Sequence, residues 1–334
     1  MTAPSRSSGT PAQARRIQVP QVQLRFAAIW IALGILLIVC AIFLPRSVSL
    51  MTFRMNLPFI AFLAIAAMGQ ALVLMARGID LSVPGIIAIS SALVLGVSGG
   101  SDERQWLAIG VALAAATLIG LLNGLLVAVL KLNALIVTLA TGAIVTGIAL
   151  WYRQGLAAES RVPDALAEFA SSRLAGFPVS AWIAVLIAIV LTVILKRTVL
   201  GRKFEVVGAN PSAAHATGIE TVRFQAAAFT VAGLLYGIVS VLLSGFIRNP
   251  TLEVGNPYLL APIAAAVLGG TAISGGIGSM IAVVGAAVFL LQLDQAAKML
   301  GLATSWQLVI QGTAIAAGMW LSEGASRLGG RRRG

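Results

Sequence analysis

Charge is what this 334-residue sequence has least of. Only 10% of its residues are Asp, Glu, Lys or Arg, and 59% are hydrophobic, whereas soluble domains carry about a quarter charged residues. That excludes a water-soluble fold. A helix needs about 20 apolar residues to cross a bilayer, so about ten spans would absorb most of the chain. The expected fold class is all-α: a polytopic helical membrane protein. Cys40 is the only cysteine, so no intrachain disulfide can form. His215 is the only histidine, and with neither H-E-x-x-H nor a Cys/His cluster no metal or cofactor is expected. Gly96–Gly99 reads G-V-S-G, the pattern of intramembrane serine proteases. Its Ser98 falls at the outer end of a span while His215 lies in an inner loop, beyond the reach a nucleophile and base require. Catalysis is not expected.

Ionisable groups are missing above all from the apolar runs. Residues 26–44, 84–100, 106–130, 134–152, 181–195, 224–247 and 303–322 contain no Asp, Glu, Lys, Arg or His, and the carboxylates Asp80 and Asp294 lie near span ends. Ion-coupled pumps usually bury such groups along their path. If this chain moves a solute uphill, the energy must come from another subunit. A stand-alone channel or facilitator is the alternative, and an intramembrane enzyme is the weaker third.

What charge there is sums to +12, but it sits in alternate loops and at both ends, the pattern that orients a membrane protein and not one that binds nucleic acid. The expected spans are 26–44, 58–76, 84–100, 106–130, 134–152, 181–195, 224–247, 258–271, 277–293 and 303–322. With both termini cytoplasmic, fifteen of the 23 Lys and Arg fall in inner segments. Residues 1–25 read as a disordered cytoplasmic tail, 26–322 as the transmembrane domain and 323–334 as a basic cytoplasmic tail. Two stretches look like broken or re-entrant helices: the boundary at Gly78–Pro84, and the short run 258–271 with Pro257 and Pro262. In the outer loop, Asp164–Leu174 reads as an amphipathic helix with Leu166, Phe169 and Leu174 on one side.

The polar insertions carry the chemistry. In G-I-D-L-S-V-P-G (Gly78–Gly85), Asp80 or Ser82 can cap the helix that follows, with Pro84 in its first turn; lining or gating a path is the further reading. Gly269–Ser279 is a second glycine-rich break, without the lysine of a phosphate-binding loop. Gly120 and Gly124 form a G-x-x-x-G pair beside Asn123, with close helix packing the first reading and substrate contact the alternative. Thr138 and Thr141 are expected to back-bond to their own helix.

The longest inner loop, 196–223, contains a short helix with clear signals. Asn210 is a good N-cap, Pro211 follows, and Gly218 stands where a left-handed residue ends a helix. Two readings fit this alanine-rich helix: a docking knob for a soluble partner, or an ordinary cytoplasmic loop.

Four blocks taken together resemble one family. They are Gly78–Ser82, Leu121–Thr141, Gly201–Ile219 and Ile263–Ser279, in an order similar to that of the permease subunits of bacterial ABC sugar importers of the ribose/xylose/galactofuranose type. The resemblance implies a type II ABC importer-like fold in the inner membrane and a permease homodimer. It further implies two cytoplasmic ABC ATPase subunits and a periplasmic sugar-binding protein as partners. Gly208, Asn210, Ala213, Ala214 and Gly218 fall on the positions of the family's coupling helix, with His215 where arginine is frequent. Asp80, Ser82, Asn123, Thr138 and Thr141 are the candidates for a translocation path or gate. Pro84, where many relatives have glycine, and Ala134-Leu135, in place of a Pro-Phe, are further departures. The identity of the sugar and the residues that contact it are not legible.

Overall fold

A computed structural model describes residues 21–157 and 160–303, with a few scattered positions up to 316. Of the expected tail 1–25, residues 1–20 lie outside the described residues and 21–25 are helical; the tail 323–334 and most of the expected last span, 303–322, also lie outside them. The apolar runs form helices: α1 (Gln21–Phe43), α2 (Leu50–Met75), α3 (Val83–Ser98), α4 (Gln105–Ala128), α5 (Ala134–Gln154), α6 (Asp164–Ser171), α7 (Val179–Arg197), α8 (Val199–Ala209), α9 (Pro211–Ala216), α10 (Thr221–Ile247), α11 (Ala261–Leu268) and α12 (Met280–Met299). Among the described residues α1, α2, α4, α5, α7, α10 and α12 are long and apolar enough to cross a membrane. The fold is all-α, relieved among the described residues by a single two-stranded hairpin.

Two expected spans, 84–100 and 258–271, are shorter. α11 has 8 residues, about 12 Å at 1.5 Å per residue, against a hydrocarbon core of about 30 Å. A 3-10 helix, Leu252–Tyr258, leads into it, and an irregular glycine loop with positive φ at Gly270, Gly275 and Gly276 follows it. α2 starts earlier than the expected 58. Ser49 caps it by accepting from Thr52 N–H (3.2 Å), and Pro58 lies inside it, as membrane helices tolerate when neighbours satisfy the freed backbone.

The outer amphipathic helix is corrected in length and facing. α6 ends at Ser171, and the hairpin Arg173–Leu174/Phe177–Pro178 follows. Ala175 and Gly176 both take positive φ there, as a two-residue type I′ turn requires. Leu166, Ala167 and Ala170 are buried while Phe169 and Leu174 are exposed. The cause is Gly245 of α10, whose missing Cβ lets Leu166 and Ala170 settle onto its backbone.

α2 and α10 form the centre, with 89% and 72% of their spanning windows buried; α1, α4, α5 and α7 are mostly exposed and form the rim. Small residues let α4 and α10 meet: a Cβ on Gly124 would lie 2.8 Å from Ala226 Cα, and one on Gly120 would stand 3.0 Å from Gly233 Cα. α3 is tied to α10 by buried hydroxyls. Ser91 Oγ lies 2.9 Å from Ser240 Oγ and accepts from Ser244 Oγ (3.0 Å), and Ser240 Oγ donates to Ile87 O (2.8 Å).

Gly124→Leu forces α4 away from α10, and overpacking of this kind costs about 1–3 kcal/mol. Thermal unfolding in detergent is expected to show the loss. Gly110→Leu, on an α4 face with nothing within 4 Å of the added Cβ, is expected to melt like wild type. Equal melting of the two variants would contradict the close contact.

Candidate functional site

The site begins where α2 stops. Gly78 N–H donates to Val73 O and Arg77 N–H to Leu74 O, both at 2.9 Å, the paired bonds of a Schellman stop. The left-handed position belongs to Arg77 (φ 67°), where glycine is usual; an L side chain there costs roughly 1–2 kcal/mol. The chain then turns back along α2, unwound through Gly78–Ser82, and resumes as α3.

Unwound backbone inside an apolar bundle must find partners for its polar groups. Gln70 of α2 supplies two: with its amide assigned from the surrounding donors and acceptors, its oxygen accepts from Asp80 N–H and its nitrogen donates to Asp80 O and to the Tyr236 hydroxyl, each at 3.1 Å. Thr138 Oγ1 accepts from Leu81 N–H (3.0 Å) and donates towards Ala134 O (2.8 Å) and Ile79 O (3.2 Å). Asp80 Oδ1 accepts from Ser82 N–H (2.9 Å) and Ser82 Oγ (2.6 Å), and Asn123 Nδ2 donates to Ser82 Oγ (2.9 Å). Gln70, Asp80, Ser82, Asn123 and Thr138 are all 0% exposed.

This network brings together four of the five expected path residues; Thr141, one turn further along α5, is buried but outside it. The expected capping differs. Ser82 does occupy the N-cap position of α3, but its backbone is already helical (φ −81°, ψ −4°) and its side chain caps nothing. Sealed from water, its hydroxyl pairs sideways with Asp80 and Asn123, so Asp80 closes a turn ahead of the helix and does not cap its first N–H groups. Thr138 does back-bond to its own helix and in addition holds the break. α5 presses on the same place, since a Cβ on Gly142 would lie 3.1 Å from Ser82 Cα.

At the same end of the bundle lies the loop 196–223. Thr198 caps α8 by accepting from Gly201 N–H (3.1 Å). Asn210 Oδ1 accepts from Ala213 N–H (3.0 Å) and Pro211 opens α9. Gly218 (φ 79°) ends it, with Gly218 N–H on His215 O (2.9 Å) and Ile219 N–H on Ala214 O (3.1 Å). The six expected coupling residues divide by facing: Gly208 and Ala214 are buried, while Asn210, Ala213, His215 and Gly218 are exposed. Gly208 is buried for want of room, because a Cβ on it would run into Met75 O and lie 2.6 Å from Gly276 N. Burial pushes the Glu205 carboxyl on α8 up from its ordinary range, and the Lys196 charge partly offsets this.

Gln70, Tyr236 and Arg77 were not among the expected site residues. Gln70 is the only hydrogen-bonding side chain between Phe59 and Met75, and that isolation was the available signal. A groove of about 400 Å³ between α4, α6 and α10 is lined by Trp106, Ile109, Leu113, Leu166, Phe169 and Val241 among others. Such an apolar lining suits no sugar.

Residues 54–317 match the family described as "Branched-chain amino acid transport system / permease component". The chain is also similar to the ribose import permease protein RbsC of Bacillus subtilis (strain 168), 31% identical over 90% of this chain and 95% of the relative. The L-arabinose transport system permease protein AraH of Escherichia coli (strain K12) is 30% identical over 88% of this chain and 90% of its own. The autoinducer 2 import system permease protein LsrC of Escherichia coli (strain SMS-3-5 / SECEC) is 33% identical over 85% and 82%.

Asp80→Ala leaves the buried N–H and hydroxyl of Ser82 without an acceptor, at a cost of about 1–3 kcal/mol. Detergent-solubilised protein is expected to melt earlier, and Asp80→Asn, which keeps an accepting oxygen, to lose less. Wild-type melting of Asp80→Ala would contradict a structural role for this carboxylate.

Proposed function

The chain belongs to the family of transport-system permease components, and from that premise we propose that it is the membrane subunit of an ATP-driven importer for a sugar or similar small polar solute. It is a multi-pass membrane permease, similar over most of its length to permeases named for ribose and L-arabinose. In the proposed assembly it lies in the bacterial inner membrane with its termini cytoplasmic. Two copies enclose the path, a periplasmic binding protein delivers the solute, and two cytoplasmic ATPase subunits drive the cycle.

The observation that carries this reading is the built form of α9. Six residues make too short a helix to persist alone in water, yet this one is capped at both ends and anchored through buried Ala214. It turns Ala213 and His215 outward. A small-faced, rigid knob on a basic loop is what a groove on a soluble partner can grip. The scarcity of charge in the spans supports the same reading, because Asp80, tied to Ser82, is the only fully buried charged side chain among the described residues.

In this account the enclosed network of Asp80, Ser82, Asn123 and Thr138 works as a gate or hinge and not as the surface the sugar touches. Its members have no exposure to offer a ligand.

Ala213→Arg places a long cation on the outward face of α9 without touching the core. In proteoliposomes carrying the partner ATPase and supplied with the binding protein, it is expected to leave permease yield unchanged. ATP-dependent transport, assayed with labelled ribose, L-arabinose and a hexose panel, is expected to fall about tenfold or more, within the range of coupling between sites. Unchanged uptake would remove the docking role from this loop.

A further inference from the structure

Arg77 has one backbone in an unfavourable region and one side chain at the surface, and the two facts belong together. Its Nε donates to Gly208 O (2.7 Å) and its terminal guanidinium nitrogen to Ala209 O. These are among the last carbonyls of α8, groups with no partner inside their own helix, and a cation at a helix C-terminus is also favoured by the macrodipole. Two residues earlier, Met75 O accepts from Gly276 N–H (2.9 Å). Gly275 (φ 90°) and Gly276 (φ 79°) let that loop approach, and Gly208 fits between because it has no Cβ. The end of α2, the end of α8 and the glycine loop before α12 are thus bonded to one another at a single point.

The segments that flank this junction give it its meaning. Ala209 is succeeded at once by Asn210 and α9, and Asp80 of the unwound segment stands three residues beyond Arg77. We propose that Arg77 is a positioning residue that transmits displacement of the α9 knob to the Gly78–Ser82 break, so that movement at the docking loop becomes movement at the gate. This rests on the docking role proposed for α9. A residue serving only as a helix stop would be glycine, and one serving only core packing would be buried. Arg77 is exposed and left-handed, and its contacts are the two carbonyls that lead into α9. Its planar fork fixes both carbonyls in one geometry, which the rotatable ammonium of lysine on its flexible stem does not.

The test uses the full importer in proteoliposomes, with its ATPase and binding protein, and reads solute transported per ATP hydrolysed. Arg77→Gly keeps the left-handed turn free of strain and deletes only the fork. It is expected to fold, to retain the ATPase on purification and to hydrolyse ATP at the wild-type rate, while transport per ATP falls about tenfold, within the usual range for coupled sites. Arg77→Lys, which keeps the charge and donors but not the rigid fork, is expected to fall between the two and serves as the reporting variant if Arg77→Gly does not accumulate. A merely structural role would lower yield, hydrolysis and transport together and leave their ratio unchanged; that result overturns the proposal. If Ala213→Arg abolishes transport and the Arg77 variants keep the wild-type ratio, the tie is wrong and the docking reading stands. If Ala213→Arg has no effect, both fall.

Discussion

Inside a bilayer no water is available to a backbone amide, so a helix that is interrupted there must be repaired by its neighbours. The segment between α2 and α3 obeys this constraint with few resources. Gln70 takes both backbone groups of Asp80. Thr138 takes Leu81 N–H and Asp80 takes Ser82 N–H. Asn123 then fixes the Ser82 hydroxyl. Each of the helices that supply these partners is positioned for another reason: α2 as the central post, α4 by its glycine contact with α10, α5 by its approach at Gly142. The repair therefore records how the helices are packed, and shifting any of them breaks bonds that cannot be replaced by solvent. A site of this kind has a small number of allowed arrangements, which is what a gate needs.

The same economy governs the energy source. Charged groups are nearly absent from the spans, and the polar chemistry singled out by the sequence lies in two places, the buried break and the loop 196–223. They meet at the junction of Met75, Arg77, Gly208 and Gly276, where hydrogen bonds run between three segments far apart in sequence. In contrast, the outer end is closed by apolar packing of α6 on α10 and by a small hairpin. The end with α8 and α9 is thus joined through backbone carbonyls of three segments, and the opposite end combines apolar packing with bonds such as Val162 N–H to Arg248 O and Ala165 N–H to Asp102 Oδ1.

Much of this is legible in the amino-acid sequence. The spans follow from apolar runs, and the α9 caps at Asn210, Pro211 and Gly218 from local chemistry that depends on few distant contacts. The G-x-x-x-G spacing of Gly120 and Gly124 announces a close crossing, whereas Gly110 in the same run faces open space. What stays hidden depends on partners distant in sequence. Nothing near Gln70 says that Asp80 will lie beside it, and the left-handed turn at Arg77 contradicts the local preference for glycine. Ser82 has the right type for a helix cap, yet burial directs its hydroxyl to Asp80 and Asn123. Pro58 looks like a boundary, and only the neighbours that surround α2 let the helix run through it.

The central claim is that this chain supplies a path and a gate but no driving force. The most direct measurement is solute flux through proteoliposomes containing the purified chain alone, compared with the complete complex plus ATP. The account predicts neither leak nor accumulation for the chain alone, and accumulation only when the ATPase is present and hydrolysing. Steady conduction or uphill transport by the chain by itself would contradict it.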